Sequence, residues 1–224
     1  MDKLVINPMD VTVNARRRWL AALAWGVAGA AVLGGAPWAR AQTPETPDAL
    51  IQRVAAEVFD TVKRDPALRA GDIARISALV DTKLMPHVDF ERMTASAVGR
   101  FWRSATPEQR QRLMAEFKTL LVRTYSGALT QINDQTLVVR PLRAAADATE
   151  VVVRSEIRGK GEPIQLDYRL ARTPQGWKVY DLNVMGVWLV DTYRTQFAQE
   201  INARGIDGLI ATLAERNRSN AQRS

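Results

Sequence analysis

The sequence predicts an α+β fold, a curved antiparallel sheet of about four strands wrapped on one long helix, with helices before and after it. Three observations predict it. Residues 48–133 repeat their apolar positions at helical spacing, residues 136–184 switch to strand-like alternation broken by short loops, and helical spacing returns after Gly186. With 224 residues, 46% apolar and 25% charged, the chain suffices for one well-buried domain and an appended segment.

That segment comes first. Arg16, Arg17 and Arg18 precede an uncharged run from Trp19 to Ala39, and Ala39-Arg40-Ala41 is a small-x-small triplet suited to signal peptidase. A membrane anchor is the alternative, since roughly 20 uncharged residues can span a bilayer. The alanine and glycine content, Pro37, and the polar stretch that follows favour cleavage. The expected organisation is a signal peptide over 1–41, a polar tether over 42–47, a single domain over 48–217 and a polar tail over 218–224. The arginines with Trp19 and Leu20 also resemble a twin-arginine signal, so either export route fits. Export places the mature protein in the periplasm. With no second apolar segment of spanning length, it is expected to be soluble.

Charge and composition exclude several functions. Residues before Gln42 contribute +3 of the formal +7, leaving +4 spread among mixed signs, which is weak for a nucleic-acid surface. The absence of cysteine removes disulfides, thiolate zinc sites and cysteine nucleophiles.

The elements follow in order. The helical part over 48–104 opens at Asp48 with Leu50, Ile51, Val54, Val58 and Val62 on one stripe, which Pro66 ends. Ile73, Ile76, Leu79, Val80 and Leu84 form a second stripe, stopped by Pro86. Asp89 caps a short helix closed by Gly99. Thr106-Pro107-Glu108-Gln109 is a capping box with proline at the first helical position. The helix it starts is expected to reach Asn133, roughly 40 Å. Strands are predicted over 136–140, 149–157, 164–172 and 177–184, joined by short loops and therefore antiparallel. In the third, Ile164, Leu166, Tyr168 and Leu170 face one way; Gln165, Asp167, Arg169 and Ala171 face the other. Helices are predicted over 187–204, ended by Gly205, and over 207–217.

Catalytic groups are sparse. His87 is the single histidine, between Pro86 and Val88 near a helix start, and reads as structural. Zinc partners, a nucleophile elbow and a phosphate loop are absent from the sequence. Asp167, Asp181 and Tyr168 leave open a small-molecule isomerase or hydrolase with a buried site. The apolar pattern leaves two arrangements, a packed core or a pocket between helix and sheet. The candidate lining is Phe117, Leu121, Tyr125 and Leu129 from the helix, and Val151, Val153, Leu166, Tyr168, Val179 and Leu182 from strands.

Several segments in order carry a resemblance. They are Pro86-His87-Val88-Asp89-Phe90-Glu91-Arg92-Met93, Gly99-Arg100-Phe101-Trp102-Arg103 and Thr106-Pro107-Glu108-Gln109-Arg110. Later come Trp177-Lys178-Val179-Tyr180-Asp181-Leu182-Asn183-Val184 with Gly186, Tyr193-Arg194-Thr195-Gln196-Phe197, and Gly205-Ile206-Asp207-Gly208-Leu209-Ile210. Together they resemble the MlaC family of periplasmic phospholipid-binding proteins, the auxiliary components associated with toluene tolerance. The resemblance implies a nuclear-transport-factor-like cone that holds lipid tails inside and leaves the head group at its mouth. It adds Val184, Val187 and Trp188 to the candidate lipid contacts. It implies a non-enzymatic monomer whose cargo is phospholipid and which needs no cofactor. Such a carrier shuttles between an inner-membrane ABC transporter complex, with its lipid-binding subunit, and an outer-membrane lipoprotein complex, touching membrane surfaces transiently and maintaining outer-membrane lipid asymmetry. A carrier of hopanoid-like lipid is the nearest alternative. Met185 and Trp188 stand where the family usually has an acidic and a small polar residue.

Overall fold

The structure, a computed structural model, describes residues 45–145 and 147–222. The expected signal peptide lies outside the described residues. Helices α1 (Pro47–Arg64), α2 (Pro66–Arg69), α3 (Ile73–Leu79), α4 (Phe90–Val98) and α5 (Pro107–Thr130) precede the strands. Strands β1 (Thr136–Val139), β2 (Glu150–Arg158), β3 (Ile164–Thr173), β4 (Gly176–Val184) and β5 (Val187–Trp188) follow, and α6 (Leu189–Ala221) closes the chain. The five strands form one antiparallel sheet in sequence order.

Local chemistry sets the helix ends. The Thr46 side chain caps α1 and Pro47 opens it, one residue before the expected start, while Glu45 pairs with Arg53 at 2.8 Å. The end of the expected tether is therefore tied to the helix. Asp65 accepts from Ala67 N and Leu68 N, so one residue closes α1 and caps α2. Beyond α3 the helix widens over Val80–Leu84 and tightens over Met85–His87 before Asp89 caps α4. The Thr106–Gln109 capping box is reciprocal, as its sequence indicated. Helix α5 ends three residues short of the expected Asn133.

The chain after β4 differs from expectation. Met185 and Gly186 both have positive φ, 52° and 90°, as a two-residue hairpin turn requires. Val187 and Trp188 thus return as a short strand paired with Val184 and Asn183, and helix begins only at Leu189. The two expected C-terminal helices run as one element, kinked at Gly205, where φ is 72°. Helical structure continues past the expected Asn217 into the polar tail.

Three apolar cores organise the domain. The first joins α4, α5 and α6 through Val98, Leu113, Phe117, Phe197 and Leu213. The second packs Leu50, Ile51 and Val54 of α1 on Val151, Val153, Leu170 and Val179 of the sheet. The third holds Val58, Val62, Leu68, Ile76 and Leu79 together at the helical end. Helix α5 spends its fully buried face, Leu113, Phe117 and Leu120, on the first core, against α6. Leu121, Val122 and Leu129 of the same helix stay only half-buried at the edges of the first and third cores.

Candidate functional site

The strand register puts Val153, Tyr168 and Leu182 abreast on one face of the sheet, with Ser155, Leu166 and Val184 in the next row. Strict alternation along β4 would send Val179 to the opposite face, with Asp181 and Asn183. A bulge prevents this. Arg169 pairs with Asp181 and Leu170 with Val179, leaving Tyr180 as the extra residue, so Val179 joins the inner face.

Leu166, Tyr168, Leu182 and Val184 are only half-buried on this inner face. Leu166 and Tyr168 pack on the second core; Leu182, Val184 and Leu121 of α5 pack on the first. Val88 touches both, while Phe59 and Leu84 bridge the second and third. These side chains form an apolar band where the three cores meet. Burial pushes the Tyr168 phenol up, with the Ser155 hydroxyl as its hydrogen-bonding neighbour, so it stays neutral at physiological pH.

The structure distributes the other sequence candidates around this band. Phe117 is 1% exposed and edge-on to Tyr193 and Phe197, sealed in the first core. Val151, Val153 and Val179 are buried in the second core, and Leu129 packs on the third. Tyr125 and Val187 line a cleft of about 430 Å³ between α5, β5 and both halves of α6. Trp188 shares a face with Asn183, on the other side of the sheet, and Arg169 stacks on its ring at 3.9 Å. Phe59, Leu84 and Val88 are the additions. Leu84 stood on the second helical stripe; Phe59 falls beside the first, and Val88 lies in no periodic element, so spacing gave neither away.

The carboxylates are committed to structure. Asp181, 0% exposed, accepts from Leu182 N at 2.8 Å and Val190 N at 3.0 Å, and Arg169 pairs with it at 2.8 Å. Burial pushes its carboxyl up, against these donors. It serves as the N-terminal cap of α6, which Trp188 has no side-chain oxygen to supply. Asp167 accepts from Gln165 Nε2 and Ser155 N. His87 is held below the usual histidine range by burial and by the nearby cations Arg53 and Lys178. Among the described residues no group of acidic residues and histidine is arranged to hold a metal ion.

Comparison with known proteins places this architecture. The MlaC protein family matches residues 52–215. The chain belongs to the MlaC family. The intermembrane phospholipid transport system binding protein MlaC of Haemophilus influenzae is 25% identical over 174 residues, 76% of this chain and 81% of that protein. Toluene tolerance protein ttg2D of Pseudomonas putida is 28% identical over 165 residues, 73% of this chain and 76% of that protein. Among solved structures, the phospholipid-binding protein of Ralstonia solanacearum in complex with a phospholipid is 49% identical, with a TM-score of 0.76, covering 78% of this chain and 98% of that one. Within the MlaC match fall α2 to α5, the whole sheet and both sides of the apolar band. No described helix is long and apolar enough to cross a membrane.

Proposed function

We propose that this protein is a non-enzymatic phospholipid carrier of the periplasm, holding acyl tails against the inner face of β3 and β4. The observation that carries the reading is the half-buried band itself. Helix α5 turns its fully buried residues to α6, while Leu121 of α5 and Leu182 and Val184 of β4 stay half-buried at the edge of the same core. Side chains sealed in the cores, such as Phe117 and Val153, back the band. The lipid complex of the Ralstonia protein, at 49% identity over 98% of its length, supports phospholipid as the cargo.

Acyl chains gain about 0.8 kcal/mol per methylene on leaving water, so a two-tailed lipid crosses an aqueous gap slowly unless it is enclosed. An apolar pocket removes that barrier. It matches the bilayer without surpassing it, so direction comes from partners. The assignment here is an inner-membrane ABC transporter complex with its lipid-binding subunit on one side and an outer-membrane lipoprotein complex on the other. The transport role in the name of the Haemophilus relative supports this.

Gently purified protein extracted into organic solvent should release about one or two phospholipids per chain by mass spectrometry. Hopanoid in their place would change the cargo class. Protein that emerges folded and free of any lipid would contradict the reading.

A further inference from the structure

The inner face of the sheet closes unevenly from strand to strand. Across one row, Leu182 of β4 and Tyr168 of β3 keep free surface, whereas Val153 of β2 is 0% exposed. Across the next, Val184 and Leu166 keep free surface in the same way, and Ser155 of β2 is 2% exposed. Accessible space on this face therefore ends where β3 meets β2. Tyr168 is the largest side chain at that boundary.

Two observations fix what its ring does there. Burial carries the Tyr168 phenol far above its ordinary range, so the ring lies deep in the domain. A deep side chain that still keeps free surface faces an internal space, not bulk solvent. Its hydroxyl is also tied down. The Ser155 hydroxyl donates its proton to the Leu166 carbonyl oxygen, which leaves the serine oxygen to accept from the Tyr168 phenol. The ring is thus held by its backbone on β3 and by its hydroxyl on β2, and its bulk stands between the half-buried side chains and the sealed strand.

We propose that the Tyr168 ring is the end wall of the acyl-tail space, and that it sets the longest tail the protein retains. The proposal rests on the carrier reading above. A tail that passes Leu182 reaches this ring before it reaches Val153 or Ser155. Lipid exchanges between the protein and a bilayer that encloses the whole of each tail, so every methylene for which the protein has no room costs roughly fourfold in retention. The discrimination is one of tail length and does not involve the head group.

The test offers the full mature protein vesicles of equal dipalmitoleoyl, dioleoyl and dieicosenoyl phosphatidylglycerol, so that the tails differ and the head group does not, and reads bound lipid by native mass spectrometry. Tyr168→Ala should raise the ratio of dieicosenoyl to dipalmitoleoyl lipid by roughly tenfold over wild type. Tyr168→Phe keeps the ring and should leave the ratio as it is. Tyr168→Leu should move the ratio in the same direction as alanine by a smaller factor, and decides the matter if the alanine variant does not fold. An unchanged ratio in a folded, lipid-bearing alanine or leucine variant overturns the proposal and leaves the carrier reading standing. A phenylalanine variant that shifts as far as alanine also overturns it, because the hydroxyl and not the wall would then set the limit. So does a folded alanine variant empty of lipid, since removing a wall admits more tail, not less. Wild-type protein that takes up none of these lipids overturns the carrier reading and the proposal with it.

Discussion

His87, the single histidine of the chain, sits beside Pro86, whose carbonyl accepts from Lys178. Burial, Arg53 and Lys178 all hold its pKa down, whereas in the unfolded chain it protonates near pH 6.5, about the ordinary value. A depressed folded-state pKa means that its contribution to stability is present above that pH. The contribution is lost as pH falls through it towards the lower folded value. Urea denaturation should therefore show stability declining between about pH 7 and pH 5, with a shallower decline for His87→Gln. Equal slopes for the two proteins would show that His87 titrates alike in both states. The sequence marked this residue as structural because it stands between Pro86 and Val88 near a helix start. The cations that set its protonation come from α1 and β4, distant in sequence and brought together only by the fold.

At the scale of elements, Asp181 joins the sheet to α6. Its carboxylate takes two backbone donors and the Arg169 guanidinium from a fully buried position. Asp181→Ala leaves those donors without a partner and should destabilise the protein by roughly 2–4 kcal/mol. Asp181→Asn retains an acceptor for the helix start and should cost less, because burial already disfavours the charge. Chemical denaturation of both variants decides this; equal losses would mean that the ion pair, not the cap, holds the junction. Such junctions separate what was legible in sequence from what was not. The start of α5 was readable because Thr106, Pro107 and Gln109 satisfy its first amides locally. The start of α6 was not, because its cap comes from Asp181, nine residues before Val190 across a hairpin. Likewise β1 to β4 followed from strand-like composition, alternation and short loops, while the Tyr180 bulge and the two-residue β5 depend on pairing partners. That bulge reconciles Val179 with Leu182 and Val184 as residues of one face, although their spacing alone sets them apart.

At the scale of the whole molecule, fold class and family were readable because the helix-to-strand change and the ordered motifs each span long stretches of chain. The candidate site was readable only in part. An apolar stripe says that a residue leaves water, not whether it is sealed, as Phe117 is, or half-buried, as Leu121 and Leu166 are. That difference arises because α1 covers the Leu170–Val179 end of the inner face of β3 and β4, whereas Leu166, Tyr168, Leu182 and Val184 further along it are left half-buried. The polar rim of the α5–α6 cleft was invisible too, since Tyr125, Gln196 and Arg216 come together only through the turn at Gly186 and the kink at Gly205. The claim on which the account depends is that acyl chains occupy the inner face. A phospholipid carrying a photoreactive group at the end of one acyl chain, loaded into the protein and irradiated, tests it most directly through the positions of the adducts. The account predicts adducts on the peptides bearing Leu121, Leu166, Tyr168 and Leu182. Adducts confined to the outer face around Val152, or to the exposed side of α6, would contradict it.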